Sequence, residues 1–142
     1  MGEVNPDDTK PTVQLNEIDR LFPFLTAEDR QGTAQVLAGI YKEEGLFDSA
    51  AYYWTEASTV LPDNLFLVEE AGKANYDAFS FALDKNKVEV LAEKTRSFLN
   101  KVLEKDPTRL DLKSKIAMTY VSSANPMQGI TLLREVLEAD PK

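Results

Sequence analysis

The chain has 142 residues, a net charge of −8, and neither cysteine nor histidine. That length fits one domain. The two missing residue types remove disulfides, thiolate chemistry, the usual zinc ligands and the commonest general base. The acidic balance disfavours nucleic acid, which needs clustered Lys and Arg. It favours a basic or neutral partner, or serves solubility alone.

Residues 1–14 are polar, with Pro6 and Pro11, and read as a disordered lead-in or linker with no signal-peptide pattern. Leu15, Ile18, Leu21, Phe22 and Leu25 then form an apolar stripe interrupted by Pro23. The pattern predicts an N-terminal capping helix within 15–25 that ends near Phe22. Thr26, followed by Glu28 and Asp29, has the chemistry of a helix start. Ala34, Leu37, Ala38 and Tyr41 recur at three-and-four spacing, the mark of one buried helix face. Gly45-Leu46-Phe47-Asp48 is the expected break, with Gly45 suited to a left-handed C-terminal position. A second helix follows, burying Ala50, Ala51, Trp54, Ala57, Val60 and Leu61. Ala38 and Ala50 allow close approach of the pair, and Tyr41 and Trp54 are expected to fill the space towards the next. Pro62 ends this helix and Asn64 caps the one after it.

The middle segment is all helix in pattern. Ala71, Ala74, Ala78 and Ala82 mark its first helix, and Asp84-Lys85-Asn86 its turn. Val88, Leu91, Ala92, Thr95, Phe98, Leu99 and Val102 form the face of its second helix. Pro62 and Pro107 lie 45 residues apart, whereas Pro107 and Pro141 lie 34 apart. The eleven extra residues lengthen the hairpin, with about 19 residues, or about 28 Å, expected in each helix. Its tip is expected to project, with Tyr76, Phe79 and Phe81 as a contact surface or as packing between the long helices.

Leu37-Ala38, Tyr41, Ala50, Trp54, Ala57 and Pro62 recur, gap for gap, as Ile116-Ala117, Tyr120, Gly129, Leu133, Val136 and Pro141. Thr95, Leu99, Val102 and Pro107 repeat the second half. This pattern resembles the tetratricopeptide repeat, whose period is 34 and whose signature runs W-x2-L-G-x2-Y, A-x3-F, P. Ala34 and Lys113 replace its tryptophan, and Ala38 its glycine. The resemblance implies an all-α fold, a right-handed helical-hairpin solenoid of about three such units, at 27–62, 63–107 and 108–142, with the middle hairpin lengthened.

The resemblance also implies a concave groove lined mainly by the first helix of each unit. Its candidates are Gln35, Gly39, Lys42 and Glu43, then Asp111, Ser114, Lys115, Met118 and Ser122. Some relatives clamp a partner's C-terminal carboxylate with Lys and Asn. The matching positions here are Gln35, Gly39, Ser114 and Met118, so that clamp is missing. Gly39 fits either close approach of a ligand or tight helix packing; Met118 fits either groove lining or core. The chain stops where a further repeat would begin, so the last helix is expected to expose an apolar side.

No phosphate-binding, dinucleotide or calcium-binding loop is present. Glu43-Glu44 and Glu69-Glu70 are adjacent, point apart on a helix and read as a solvated face. Ser114-Lys115 is a neighbouring pair without a supporting motif. No run approaches the ~18 apolar residues of a membrane span. The expected function is therefore a non-catalytic protein–protein interaction module or scaffold that binds a peptide or helix, with no cofactor, no metal and no membrane insertion. The alternatives are a homo-oligomer formed through the uncapped C-terminal end and, further off, an enzyme or enzyme-accessory subunit. The expected location is cytoplasmic, or, as the alternative, an extracytoplasmic domain excised from a membrane-anchored bacterial protein.

Overall fold

The computed structural model describes residues 17–140. The lead-in, the first two positions of the cap helix and Pro141-Lys142 lie outside the described residues. Residues 17–21 are helical and pass directly into a 3-10 turn, Phe22–Phe24, where Pro23 sits at a position that needs no amide donor. Six α-helices follow among the described residues: α1 (Ala27–Glu43), α2 (Phe47–Val60), α3 (Leu65–Phe81), α4 (Lys85–Lys105), α5 (Leu110–Val121) and α6 (Pro126–Ala139). No strand occurs among them, and the helices pack in consecutive pairs. Among the described residues, no helix is long and apolar enough to cross a membrane.

The helix ends follow the local chemistry. Thr26 Oγ1 accepts from the Asp29 amide at 3.2 Å, Asn64 Oδ1 from the Leu67 amide at 3.2 Å, and Asp84 Oδ1 from the Lys87 amide at 3.1 Å. Each bond satisfies an amide that the first helical turn leaves without a partner. Gly45 takes φ +78°. Its amide reaches Lys42 O at 3.0 Å and the Leu46 amide reaches Tyr41 O at 2.8 Å, the paired closure of a glycine-terminated helix. The break is thus shorter than the expected 45–48. Phe47 and Asp48 already belong to α2, where Asp48 favours the positive helix start.

Small residues set the spacing between helices. Ala34, Ala38, Ala50 and Ala57 are buried between α1 and α2; Ala71, Ala74 and Ala78 bury the face of α3. Gly72 lies under Leu99 of α4, and Gly129 lies against the Ala117 carbonyl of α5. The buried polar residues Ser58, Asn75, Thr95 and Thr119 are paired, as packing requires, whereas Arg30 Nε is buried without a partner. Asn75 donates to Thr55 Oγ1 at 3.1 Å and to Ala71 O at 2.7 Å. Thr119 accepts from Arg96 at 3.0 Å and donates to Ile116 O at 2.6 Å.

Two expectations about packing are corrected. Tyr41 spends its hydroxyl on the N-terminal segment, donating to Asp19 Oδ2 at 2.8 Å, while Tyr53 donates to Asp19 Oδ1. The two rings stack at 5.8 Å, and Phe22 meets Tyr53 edge-on at 5.0 Å. Trp54, by contrast, does face the next pair, meeting Phe66 at 6.1 Å. The lengthening of the middle pair is also unequal. α3 and α1 both have 17 residues, while α4 has 21 against 14 in α2. The middle pair therefore ends level with the turn of the first pair, and Phe47 stacks on Phe81 at 4.7 Å while Lys87 pairs with Asp48. It outreaches only the third pair, whose first helix has 12 residues.

Candidate interaction surface

α3 lies between α2 on one side and α4 and α5 on the other, so its outer stripe occupies the centre of the array. Glu70, Lys73 and Asp77 recur at spacings of three and four along that stripe. They line a cleft of about 190 Å³ together with Lys42 of α1, Phe47, Ala50 and Trp54 of α2, and Ala74. The floor is apolar and aromatic, and the rim carries both signs of charge. That combination suits a peptide, which presents apolar side chains and backbone dipoles together.

Next to the cleft, charge ties α3 to the start of α5. Arg109 donates to Glu69 through two nitrogens at 2.8 and 2.7 Å, and Lys73 reaches Glu69 at 2.7 Å. The Arg109 hydrogen bonds, reinforced by Lys73, hold the Glu69 carboxyl down at about 2. Glu69 in turn raises Lys73 and Arg109. Glu69 is thus half-buried in a structural ion pair, which corrects its assignment to a solvated face. Its folded value lies below the ordinary 4.5, so its stabilisation is complete above about pH 4.5 and is lost as pH falls towards about 2. Allowing for solvent screening, about 1 kcal/mol is at stake. Glu69→Gln should remove most of this acid-dependent loss, measured by urea unfolding between pH 5 and pH 2.

The groove candidates divide between two places. Lys42 lines the cleft; Gln35 and Gly39 precede it on α1, and Gly39 and Glu43 are exposed. Lys115 of α5 lies over the Tyr76 ring at 4.9 Å, so Tyr76 is covered rather than free. Met118 and Ser122 are exposed on α5, with Ser122 closing the helix, and Ser114 is half-buried. Asp111 is held by Arg109 at 3.1 Å, which keeps its carboxyl below the usual range. Sequence reasoning missed Glu70, Lys73 and Asp77. Their spacing was visible between the alanines of α3, but nothing local says that α1 and α2 leave that stripe open.

An added Cβ at Gly39 would meet nothing within 4 Å, so tight packing does not explain this glycine. Gly39→Ala is expected to raise stability by about 1 kcal/mol, because it removes unfolded-chain freedom within a helix. An unchanged or lowered urea midpoint would contradict this. The three tip aromatics also separate. Phe79 is buried with Ala51, Leu91 and Ala92, which is the packing role and not the contact surface, and of the three only Phe81 is exposed. Phe81, Leu46 and Leu83 edge a second cleft of about 480 Å³ between the turns of the first two pairs.

These features define an all-α array of paired helices with its most mixed surface on α3. No family model matches the sequence, and no curated protein is significantly similar to it.

Proposed function

We propose that this chain is a non-catalytic protein–protein interaction module of tetratricopeptide type, which binds a peptide or helix along the first helices of its pairs. The observation that carries the reading is the cleft in which Lys42, Glu70, Lys73 and Asp77 surround Trp54 and Ala74. A ligand lying there would run from Gly39 and Lys42 past α3 to Lys115 and Met118. The exposed Gly39 leaves the α1 backbone open to close approach. Apolar contacts to Trp54 would supply affinity, and the charged rim would select orientation. Neighbouring pairs hold the surface in place, so binding needs little rearrangement.

Selection of binders from a random peptide library tests this. The selected peptides should bind the Lys42→Glu/Asp77→Lys and Lys115→Ala/Met118→Ala variants at least about tenfold more weakly, an effect of about 1.4 kcal/mol. Undiminished binding to both variants would remove the site assignment. Failure to select any peptide would count against the module itself.

A further inference from the structure

We propose that the peptide bound at the α3 cleft has a defined polarity: a lysine or arginine held by Asp77 on the α3 side, and an acidic residue held by Lys42 on the α1 side. This inference rests on the cleft being the binding site and adds the chemistry of the ligand that fits it. Two columns of residues run along α3. Glu69 and Tyr76 are seven positions apart, and so are Glu70 and Asp77. Seven positions are close to two helical turns, so each pair lies in one column, and the columns sit about 100° apart around the helix. The first column faces α5, and the chain supplies a cation to each of its members. Arg109, at the start of α5, donates to Glu69 at 2.8 and 2.7 Å, and Lys115 lies over the Tyr76 ring at 4.9 Å.

The second column faces the cleft. There Glu70 has Lys73 at 3.7 Å, but Lys73 stands nearer to Glu69, at 2.7 Å. Asp77 is half-buried and has neither an ion pair nor a side-chain hydrogen bond among the described residues. A carboxylate so placed is completed by a cation, because charge-assisted hydrogen bonds are about twice as strong as neutral ones. Trp54 and Phe47 line the same cleft, and an aromatic face, indole above all, attracts an ammonium or guanidinium group. The net charge of −8 draws basic segments towards the chain as a whole. A cleft of about 190 Å³ has the space of about six waters, which one long side chain fills and a helix face does not.

Lys42 sets the other end. It is exposed, lines the α1 wall of the same cleft and has no ion pair among the described residues. A basic side chain is repelled there and an acidic one attracted. A peptide crossing from α1 to α3 is therefore read in one direction, and the reversed arrangement of charges is rejected at both walls.

Two random peptide libraries, alike except that one lacks lysine and arginine, test this. Binders should come from the complete library and carry both a basic and an acidic residue. Fluorescence anisotropy should show them binding Asp77→Asn at least about tenfold more weakly than wild type. Replacing the peptide's base with a neutral residue should weaken binding to wild type equally and make no further difference to Asp77→Asn. A peptide with its acid and base exchanged should prefer the Lys42→Glu/Asp77→Lys protein. Binders of equal affinity from the library without lysine and arginine would overturn the polarity, as would selected peptides indifferent to Asp77→Asn. If such peptides still lose affinity for Lys115→Ala/Met118→Ala, the groove itself stands. No binder from either library would remove both the polarity and the groove.

Discussion

Asp19→Ala should lower the melting temperature by roughly 10 °C, the largest loss expected from any single polar residue in this chain. Asp19 accepts hydrogen bonds from Tyr41 and Tyr53, whose rings are buried against Phe22. Removing the carboxylate leaves two hydroxyls in an apolar setting without their acceptor, a cost of about 2–4 kcal/mol. It also releases the N-terminal helical segment from the first pair, which rests otherwise on Phe22 and on Arg30 donating to Pro23 O at 2.9 Å. Tyr41→Phe and Tyr53→Phe provide the control. Removing both hydroxyls from wild type should cost less than removing Asp19, because the phenyl rings still fill the core. Thermal melts of wild type, Asp19→Ala and the Tyr41→Phe/Tyr53→Phe double variant decide it; an Asp19→Ala melt within 2 °C of wild type, about 0.5 kcal/mol, would refute the clamp.

The same cluster predicts alkaline sensitivity. Burial, with the Asp19 hydrogen bond and charge, pushes Tyr41 up to about 12 from 10.0, and Tyr53 moves further in the same direction. A folded value above the unfolded one means that the folded state holds the proton more tightly. The stabilisation is therefore complete below about pH 10 and is lost as pH rises through about 12. Stability should fall in that window in step with the tyrosinate absorbance of these two rings.

Gly129→Ala is the second large expected effect. An ideal Cβ there would lie 2.5 Å from the Ala117 carbonyl oxygen and 2.8 Å from the Val121 amide nitrogen. Both are backbone atoms of α5, so the helices must separate. Overpacking of this kind costs about 1–3 kcal/mol, and the helix preference of alanine returns less than about 1. A net loss of about 2 kcal/mol is expected, read as a shift in the urea midpoint without a change in slope. Gly72→Ala makes an informative contrast. Its Cβ would meet Leu99 Cδ2, and Leu99 Cγ at 2.9 Å, which are side-chain and not backbone atoms. A smaller loss than at Gly129 is expected.

Gly129 also shows where a repeat pattern misleads. The resemblance makes Ala50 and Gly129 equivalent, and either small residue satisfies the spacing. The choice of glycine reflects the local separation of α5 and α6, which a spacing rule does not contain. The same limit applies to the middle pair. Eleven extra residues could be counted between Pro62 and Pro107. Their unequal division between α3 and α4, and the stack of Phe81 on Phe47, depend on where a distant turn lies.

Periodicity, caps and breakers are local, and local chemistry sets them: the apolar stripes, the Thr26 and Asn64 caps and the left-handed Gly45 were all legible in the sequence, as was the all-α class, whereas the turn expected at 84–86 has Lys85 and Asn86 inside α4, with Asp84 as its cap. Only the tertiary structure decided which face of each helix meets which neighbour. Asp19 was an ordinary surface acid until Tyr41 and Tyr53 were brought to it, 22 and 34 residues along the chain. Glu69 became a half-buried partner of Arg109, and Glu70, Lys73 and Asp77 became the rim of a cleft. Those outcomes depend on the rotation of one helix against another, which is set by the summed packing of small residues across the array and is not written in any one helix's spacing.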